Sequence, residues 1–347
     1  SAIASHPLAP KDFATQIETT ASLLFESAKN LSRIAKDKGS EINRDSVGNY
    51  VRDTSRAFEE LMHRLPLGAA EVSTRIASGE MIKLRLEMTE SKLLFDFKGT
   101  ESSTRVAVTE LTTLGSCVWS VLALIDEKIA INTGLLSHFA VIAPSGTMLD
   151  QKGMIGTERG INVLVPALCN LIISAFAKLN PALKGAECAG GSARLLVESS
   201  DERVYLSAAC GSRASSKESG EDACTIWSPS LNESRSNSVI SWIMRGINPS
   251  SGGAGKQKGG NGELVHFKVL KPARLSWDLS AGSTKINGVS GGKPGDLAKL
   301  IIIRAGKTDE ETLVKERDGH VEVSIGDEVK LFGAGGGGYG EAPAATE

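Results

Sequence analysis

Two kinds of residue in this sequence have types and spacings that could do chemistry: glycine runs, and isolated polar side chains beside apolar segments. Gly333-Ala334-Gly335-Gly336-Gly337-Gly338 satisfies G-x-G-x-x-G. In that pattern the glycine turn and the helix after it hold a pyrophosphate. Here Tyr339-Gly340-Glu341-Ala342-Pro343 follows instead, with no helix and no acidic ribose ligand, so dinucleotide binding is not expected. Gly255-Lys256 has Ser250 and Gln257 where a phosphate-binding loop needs Gly and Ser or Thr, and Lys293 is followed by Pro294. What remains is positive φ or close backbone approach between strands. Four consecutive glycines carry a high backbone entropy cost, which predicts that another backbone or a ligand packs tightly around Gly336 and Gly337.

The candidate catalytic side chains are Asp96, His138 and Arg159. Asp96 ends a strand. His138 follows an Asn132-Thr133-Gly134 element. Arg159 opens an apolar helix, where an anion would be favoured; an ion pair is the competing reading. Asn132, Tyr339 and, in a polar loop, Arg235 and Asn237 are candidates for substrate or interface contacts. His6, His63, His138, His266 and His320 lack metal-ligand spacing, so no metal is expected on this chain. There is no G-x-S-x-G elbow, and the adjacent carboxylates Glu59-Glu60 and Glu310-Glu311 read as solvated charges.

Composition narrows the class. The net charge of −2 gives no electrostatic reason to expect nucleic acid or anionic lipid as a partner. Five cysteines, an odd number with no C-x-x-C pair, point to free thiols in a reducing cytoplasm. Ser1 to Pro7 has neither the basic nor the apolar region of a signal peptide. Residues 161–177 are strongly apolar but short for a bilayer, and Asn162, Pro166 and Asn170 interrupt them, so a buried core helix is expected.

The elements that must position these residues fall into two parts, giving an α+β fold. Residues 1–185 read as an α/β domain with N-terminal helices and a hairpin. Its helices are expected at 12–38, 45–65, about 103–126 and 161–177, its hairpin at 81–97 and a strand at 139–143. Residues 186–347 read as a glycine-rich, strand-dominated domain. Its strands are expected at 194–197, 204–209, 263–270, 297–304 and 328–332, with a long polar loop at 211–238.

Several of these stretches, taken together and in order, resemble the hydantoinase B/oxoprolinase family. They are Phe95-Asp96-Phe97-Lys98-Gly99-Thr100, Asn132-Thr133-Gly134 with Ala143-Pro144-Ser145-Gly146, Ser251 to Gly262, Gly288 to Gly295, and Gly326-Asp327-Glu328-Val329 followed by Gly335 to Gly340. Asn232 to Asn237 lies where the family carries an Asn-Thr-rich loop. The resemblance implies a subunit of an ATP-dependent carboxylase or hydantoinase-type complex, of the kind that includes acetone and acetophenone carboxylases. Its substrate would be a ketone or cyclic amide, phosphorylated on a hydantoinase A-type ATP-binding partner. It further implies that ATP and a divalent metal belong to partner subunits. The family's metal-bearing N-terminal half, absent from these motifs, would then sit on a separate chain. Two departures, Leu275 to Ser280 in place of an Asp-Arg-Arg segment and Gly153 to Gly156 in place of a Pro-rich one, leave a structural, non-catalytic assembly subunit as the alternative.

Overall fold

A computed structural model of the chain describes residues 13–37, 44–125, 127–151, 157–224, 237–306 and 311–343. Among these residues, five α-helices and thirteen strands in three sheets make up the α+β fold. The first half opens with α1 (Phe13–Asp37) and α2 (Arg44–Met62). A four-stranded sheet follows, in the order β1 (Gly68–Arg75), β2 (Met81–Met88), β3 (Leu93–Asp96), β4 (Phe139–Ile142). The β3–β4 pair is parallel and the others antiparallel. The alternation in β2 decides its faces. Ile82, Leu84, Leu86 and Met88 are buried, while Lys83 and Arg85 point outward.

Helix α3 runs from Glu110 to Ile125, starting later than the pattern suggests. The preceding Val106, Ala107 and Val108 are buried in extended backbone that pairs with 148–151: Val108 N donates to Met148 O and Gln151 N to Val108 O. Thr109 then accepts from the Thr112 N–H, so the helix starts only after β-branched residues have docked. After the short α4 (Thr133–Leu136) comes α5 (Thr157–Leu179). A window within Arg159–Leu179 is long and apolar enough to cross a membrane by length and composition, but here α5 packs against α3, β1 and β2.

The second half stacks two sheets. One has the order β12 (Asp318–Val323), β9 (Ala273–Asp278), β5 (Ser192–Glu198), β6 (Arg203–Ala209). The other has the order β11 (Glu311–Leu313), β10 (Lys299–Ile303), β13 (Glu328–Phe332), β8 (Glu263–Val269), β7 (Ile240–Ile247). Leu195, Val197, Val204, Leu206 and Leu275 of the first meet Val265, Phe267, Leu300, Val329 and Leu331 of the second in one apolar core. Asp327, buried in the turn before β13, accepts from Ala305 N (2.8 Å), Ser324 N (3.0 Å) and Arg304 Nη1 (2.7 Å).

Two asparagines fasten the halves together. Asn162 and Asn170 are eight residues apart, about two turns, and so share one side of α5. Asn162 Nδ2 donates to Ser192 O (3.0 Å) and its Oδ1 accepts from Ser192 N (2.9 Å). Asn170 makes the same two-way contact with Cys188. Pro166 has no N–H, so the Asn162 carbonyl loses its helical partner. Gly191 sits against that carbonyl, and a Cβ there would lie 2.4 Å from Asn162 O.

The glycine segments form a lattice beyond the sandwich. Gly333 to Gly338 are all buried. A Cβ at Gly336 would lie 1.8 Å from Ser212 O, and one at Gly259 would lie 2.0 Å from Gly336 O. None of Gly333 to Gly338 has positive φ, so these residues serve close approach rather than turning. The tight packer is backbone.

Candidate functional site

A cleft of about 870 Å³ lies between the two halves, within the range of small-molecule sites. Its walls are the outward side chains of β1 and β2, the end of β3, one side of α5, and two loops at 187–189 and 280–287. Arg75, Lys83, Arg85, Lys98, Lys178 and Lys285 line it, against Glu71, Asp96 and Glu187. The lining is therefore cationic in a chain whose overall charge is negative. Arg85 is held by Glu87 (2.9 Å), Lys98 by Asp96 (3.4 Å) and Lys178 by the Glu71 carbonyl (2.6 Å). Among the described residues Lys83 and Lys285 have no ion-pair partner. The Lys83 side chain runs beside Gly99, whose φ of +82° only glycine adopts easily.

The loops that close the cleft rest on the glycine lattice. Asn287 donates through N (2.9 Å) and Nδ2 (2.8 Å) to one Glu187 oxygen. Glu187 O accepts from Gly337 N, and a Cβ at Gly337 would lie 2.2 Å from Asn287 O. Gly337 thus stands behind the wall rather than in it. The N–H groups of Gly333, Gly335, Gly336, Gly337 and Gly338 donate to Glu263, Asp296, Gly260, Glu187 and Lys293 carbonyls. The donors a phosphate cradle would need are already occupied. Tyr339 exchanges both backbone hydrogen bonds with Gln257 and continues the lattice.

The other sequence candidates go to different places. Asp96 is in the cleft, its Oδ1 accepting from Lys98 N (3.0 Å). Asn132 caps α4 and donates to Thr54 Oγ1 (2.9 Å), while Gly134 presses against the Val51 carbonyl of α2. His138 is buried nearby. Its Nδ1 contacts Ser91 O and its Nε2 contacts Ser55 Oγ, each at 2.9 Å. A carbonyl can only accept, so Nδ1 donates to Ser91 O, while Nε2 faces Ser55 Oγ and, at 3.8 Å, the Glu59 carboxylate. From its place just before β4, the ring thus ties α2 to the turn between β2 and β3. Asn237 Oδ1 caps the entry to β7, accepting from Val239 N and Ile240 N. Arg235 lies outside the described residues.

Arg159 lies in a smaller annex of about 270 Å³. Its guanidinium is divided between Asp278 (Nε–Oδ2 2.9 Å), Asp318 (Nη2–Oδ2 2.6 Å) and Ser280 Oγ (3.0 Å), so it forms an ion pair as well as lining the pocket. The Arg159 hydrogen bond holds the Asp318 carboxyl below its ordinary pKa. Burial would lower the Arg159 pKa, but the bond to Asp318 and the Asp278 charge raise it.

The cleft's thiol is not an activated nucleophile. Burial raises the Cys188 pKa, and the nearby Arg213 charge offsets this only in part. Cys117 and Cys169 are also raised by burial, and Cys210 is pushed to about 12. Among the described residues no three His, Cys, Asp or Glu side chains converge as metal ligands, so no step is assigned to a metal here.

The model of the Hydantoinase B/oxoprolinase family matches residues 2–342. The chain belongs to the hydantoinase B/oxoprolinase family. It is 22% identical to 5-oxoprolinase of Dictyostelium discoideum over 356 aligned positions, 91% of this chain and 27% of that protein. It is 25% identical to an uncharacterised Schizosaccharomyces pombe protein, covering 86% of this chain and 25% of the relative. The chain therefore spans about a quarter of the length of these curated relatives. Among solved structures, ATP-dependent caprolactamase from Pseudomonas jessenii shares the fold with a TM-score of 0.75 at 17% identity, covering 91% of this chain and 60% of that one. A nucleotide-free acetone carboxylase gives a TM-score of 0.62 at 14% identity, over 82% of this chain and 47% of the other.

Nothing in the sequence singles out Lys83 and Lys285. Lys83 belongs to the charged half of an alternating strand, which reads as solvated surface. Lys285 sits in a turn with no motif.

Proposed function

We propose that this hydantoinase B/oxoprolinase chain forms part of the chamber in which a carbonyl compound, phosphorylated at oxygen on a partner chain, is hydrolysed or carboxylated. The observation that carries the reading is the cleft's excess of cationic side chains, including Lys83 and Lys285, which have no ion-pair partner among the described residues. Family membership and the ATP-dependent relatives, one acting on caprolactam and one on acetone, supply the reaction class. A hydantoinase A-type subunit would make the phosphoryl donor step with ATP and a divalent metal. The assembly would be cytoplasmic. Within the cleft, water adds to the carbon of an O-phosphorylated lactam, the ring C–N pair leaves to nitrogen, which takes a proton, and a second water displaces phosphate from the resulting acyl phosphate. For a ketone, the C=C pair of its O-phosphorylated enol bonds to the carbon of carbon dioxide while water takes the phosphoryl group and the O–P pair restores the carbonyl. Fixed ammonium groups stabilise the charge that gathers on the leaving oxygens.

The test is recovery of the native complex through this chain, followed by an assay of ATP-dependent turnover on lactams and ketones. Activity that disappears when this chain is omitted, and returns when it is added, supports the reading. Full activity without it sinks it. The second reading, an assembly subunit without chemistry, draws support from the glycine lattice, where the glycines of the 333–338 run pack against backbone. It predicts that neutralising the cleft lysines leaves the assembled complex fully active.

A further inference from the structure

The annex differs from the main cleft in how its cations are held. Arg105, Arg159, Arg317 and Asp318 supply its charge, and it shares Ala77, Val163 and Ser280 with the cleft. Ser280 therefore stands at the partition, fixed by a bond from its N–H to Asp278 Oδ1 (2.9 Å) and by the Arg159 guanidinium on its hydroxyl. Asp278 and Asp318 neutralise Arg159. Arg105 and Arg317 make no ion pair within 4 Å among the described residues and both are exposed, although the Arg105 charge also acts on Glu80 and Asp318. Two such arginines line the same 270 Å³ hollow, and a guanidinium suits an oxyanion because it can donate two parallel N–H bonds. The volume admits a carboxylate and several waters.

We propose that the annex is a second anion subsite, at which Arg105 and Arg317 hold a carboxylate of the substrate while its reacting end lies in the main cleft. This rests on the reading of the cleft as the reaction chamber and narrows it to carbonyl compounds that carry an acid group. Arg159 is a positioning residue: it fixes Ser280 and the floor between the two spaces without contacting the acid.

The experiment is calorimetric titration of the full chain with acetate and with straight-chain dicarboxylates from malonate to adipate. It is repeated on Arg105→Gln/Arg317→Gln and on Lys83→Gln/Lys285→Gln, with melting temperatures checked for each. A dicarboxylate of matched length should bind at least about 10-fold tighter than acetate, through engagement of two subsites by one ligand. That advantage should vanish in the arginine variant while acetate still binds. An affinity series flat with chain length, or an advantage that survives the arginine substitutions, overturns the annex and leaves the chamber standing. Acetate binding to the arginine variant that is unchanged when Lys83→Gln/Lys285→Gln is added to it overturns the chamber instead.

Discussion

The glycine lattice and the cleft are built on opposite principles, although they share a wall. In the lattice, side chains are absent, backbone donors meet backbone acceptors, and carbonyls press where a Cβ would be. In the cleft, side chains are long and charged, and two ammonium groups lack ion-pair partners among the described residues. The glycine-rich motifs that identify the family belong to the first region, while the Phe95–Thr100 motif reaches the cleft with Asp96 and Lys98. The residues with unfilled chemical capacity belong to the second. Gly337 connects them: it holds the Glu187 carbonyl while Glu187 holds Asn287 at the cleft. The glycine-rich motifs therefore position the wall of a site they do not enter, which is why a fold-level match leaves the reaction open.

Substitutions can break this contrast, beginning with the largest effect. Gly336→Ala puts a methyl group 1.8 Å from Ser212 O, within a backbone network that cannot yield locally. The expected loss is roughly 4 kcal/mol or more, visible as early melting and protease sensitivity of the second half. Gly115→Ala is the control. Gly115 lies on the exposed side of α3, and a methyl group added there would meet nothing within 4 Å, so stability should rise by up to about 1 kcal/mol.

Asn162→Ala should cost about 2–3 kcal/mol by denaturant titration, because it strands the Ser192 N–H and carbonyl in a buried place. An effect below about 0.5 kcal/mol would show that α5 is not fastened to β5 in this way.

Acid should act on the lattice-side half through Asp327. Burial alone would raise its pKa, but bonds from Ser324 N, Ala305 N and Arg304 lower it below the ordinary 3.8. Its stabilising contribution is therefore complete above that value and declines as pH falls through the lower folded value. Unfolding measured between pH 6 and pH 2 should be less steep at the acid end in Asp327→Asn, which is less stable throughout at neutral pH. Lys83→Gln/Lys285→Gln should have the smallest effect on stability, within about 0.5 kcal/mol, because neither ammonium holds the fold together.

The sequence is most informative where one physical rule acts alone. The alternation in Met81 to Met88 and the apolar run of α5 both lie where periodicity places them. β1 is not legible, since Gly68-Ala69-Ala70 offers little apolar contrast. Nor is β7, whose consecutive Trp242, Ile243 and Met244 follow a register shift rather than strict alternation. Residues 103–109 read as helix from pattern, but their docking against 148–151 is a long-range contact that no window contains. The site is less legible than the fold. Asp96 stands out through its position at a strand end, and Arg159 through its place at a helix start. Asn132 and His138 stand out as polar residues near a recognised element, and both bind α2. Lys83 matters because β2 faces α5 and the 280–287 loop across a cleft, an arrangement made only by the folded chain.

The central claim is that the cleft's ammonium groups, Lys83 and Lys285, act on the reacting substrate. The most direct measurement is ATP-dependent turnover of the native complex assembled with Lys83→Gln/Lys285→Gln, at matched melting temperature and assembly state. The predicted result is a fall in turnover of at least about 100-fold, the scale on which removing preorganised donors to a developing oxyanion lowers a rate. Turnover equal to that of the unsubstituted complex would contradict the account and leave this chain as an assembly subunit.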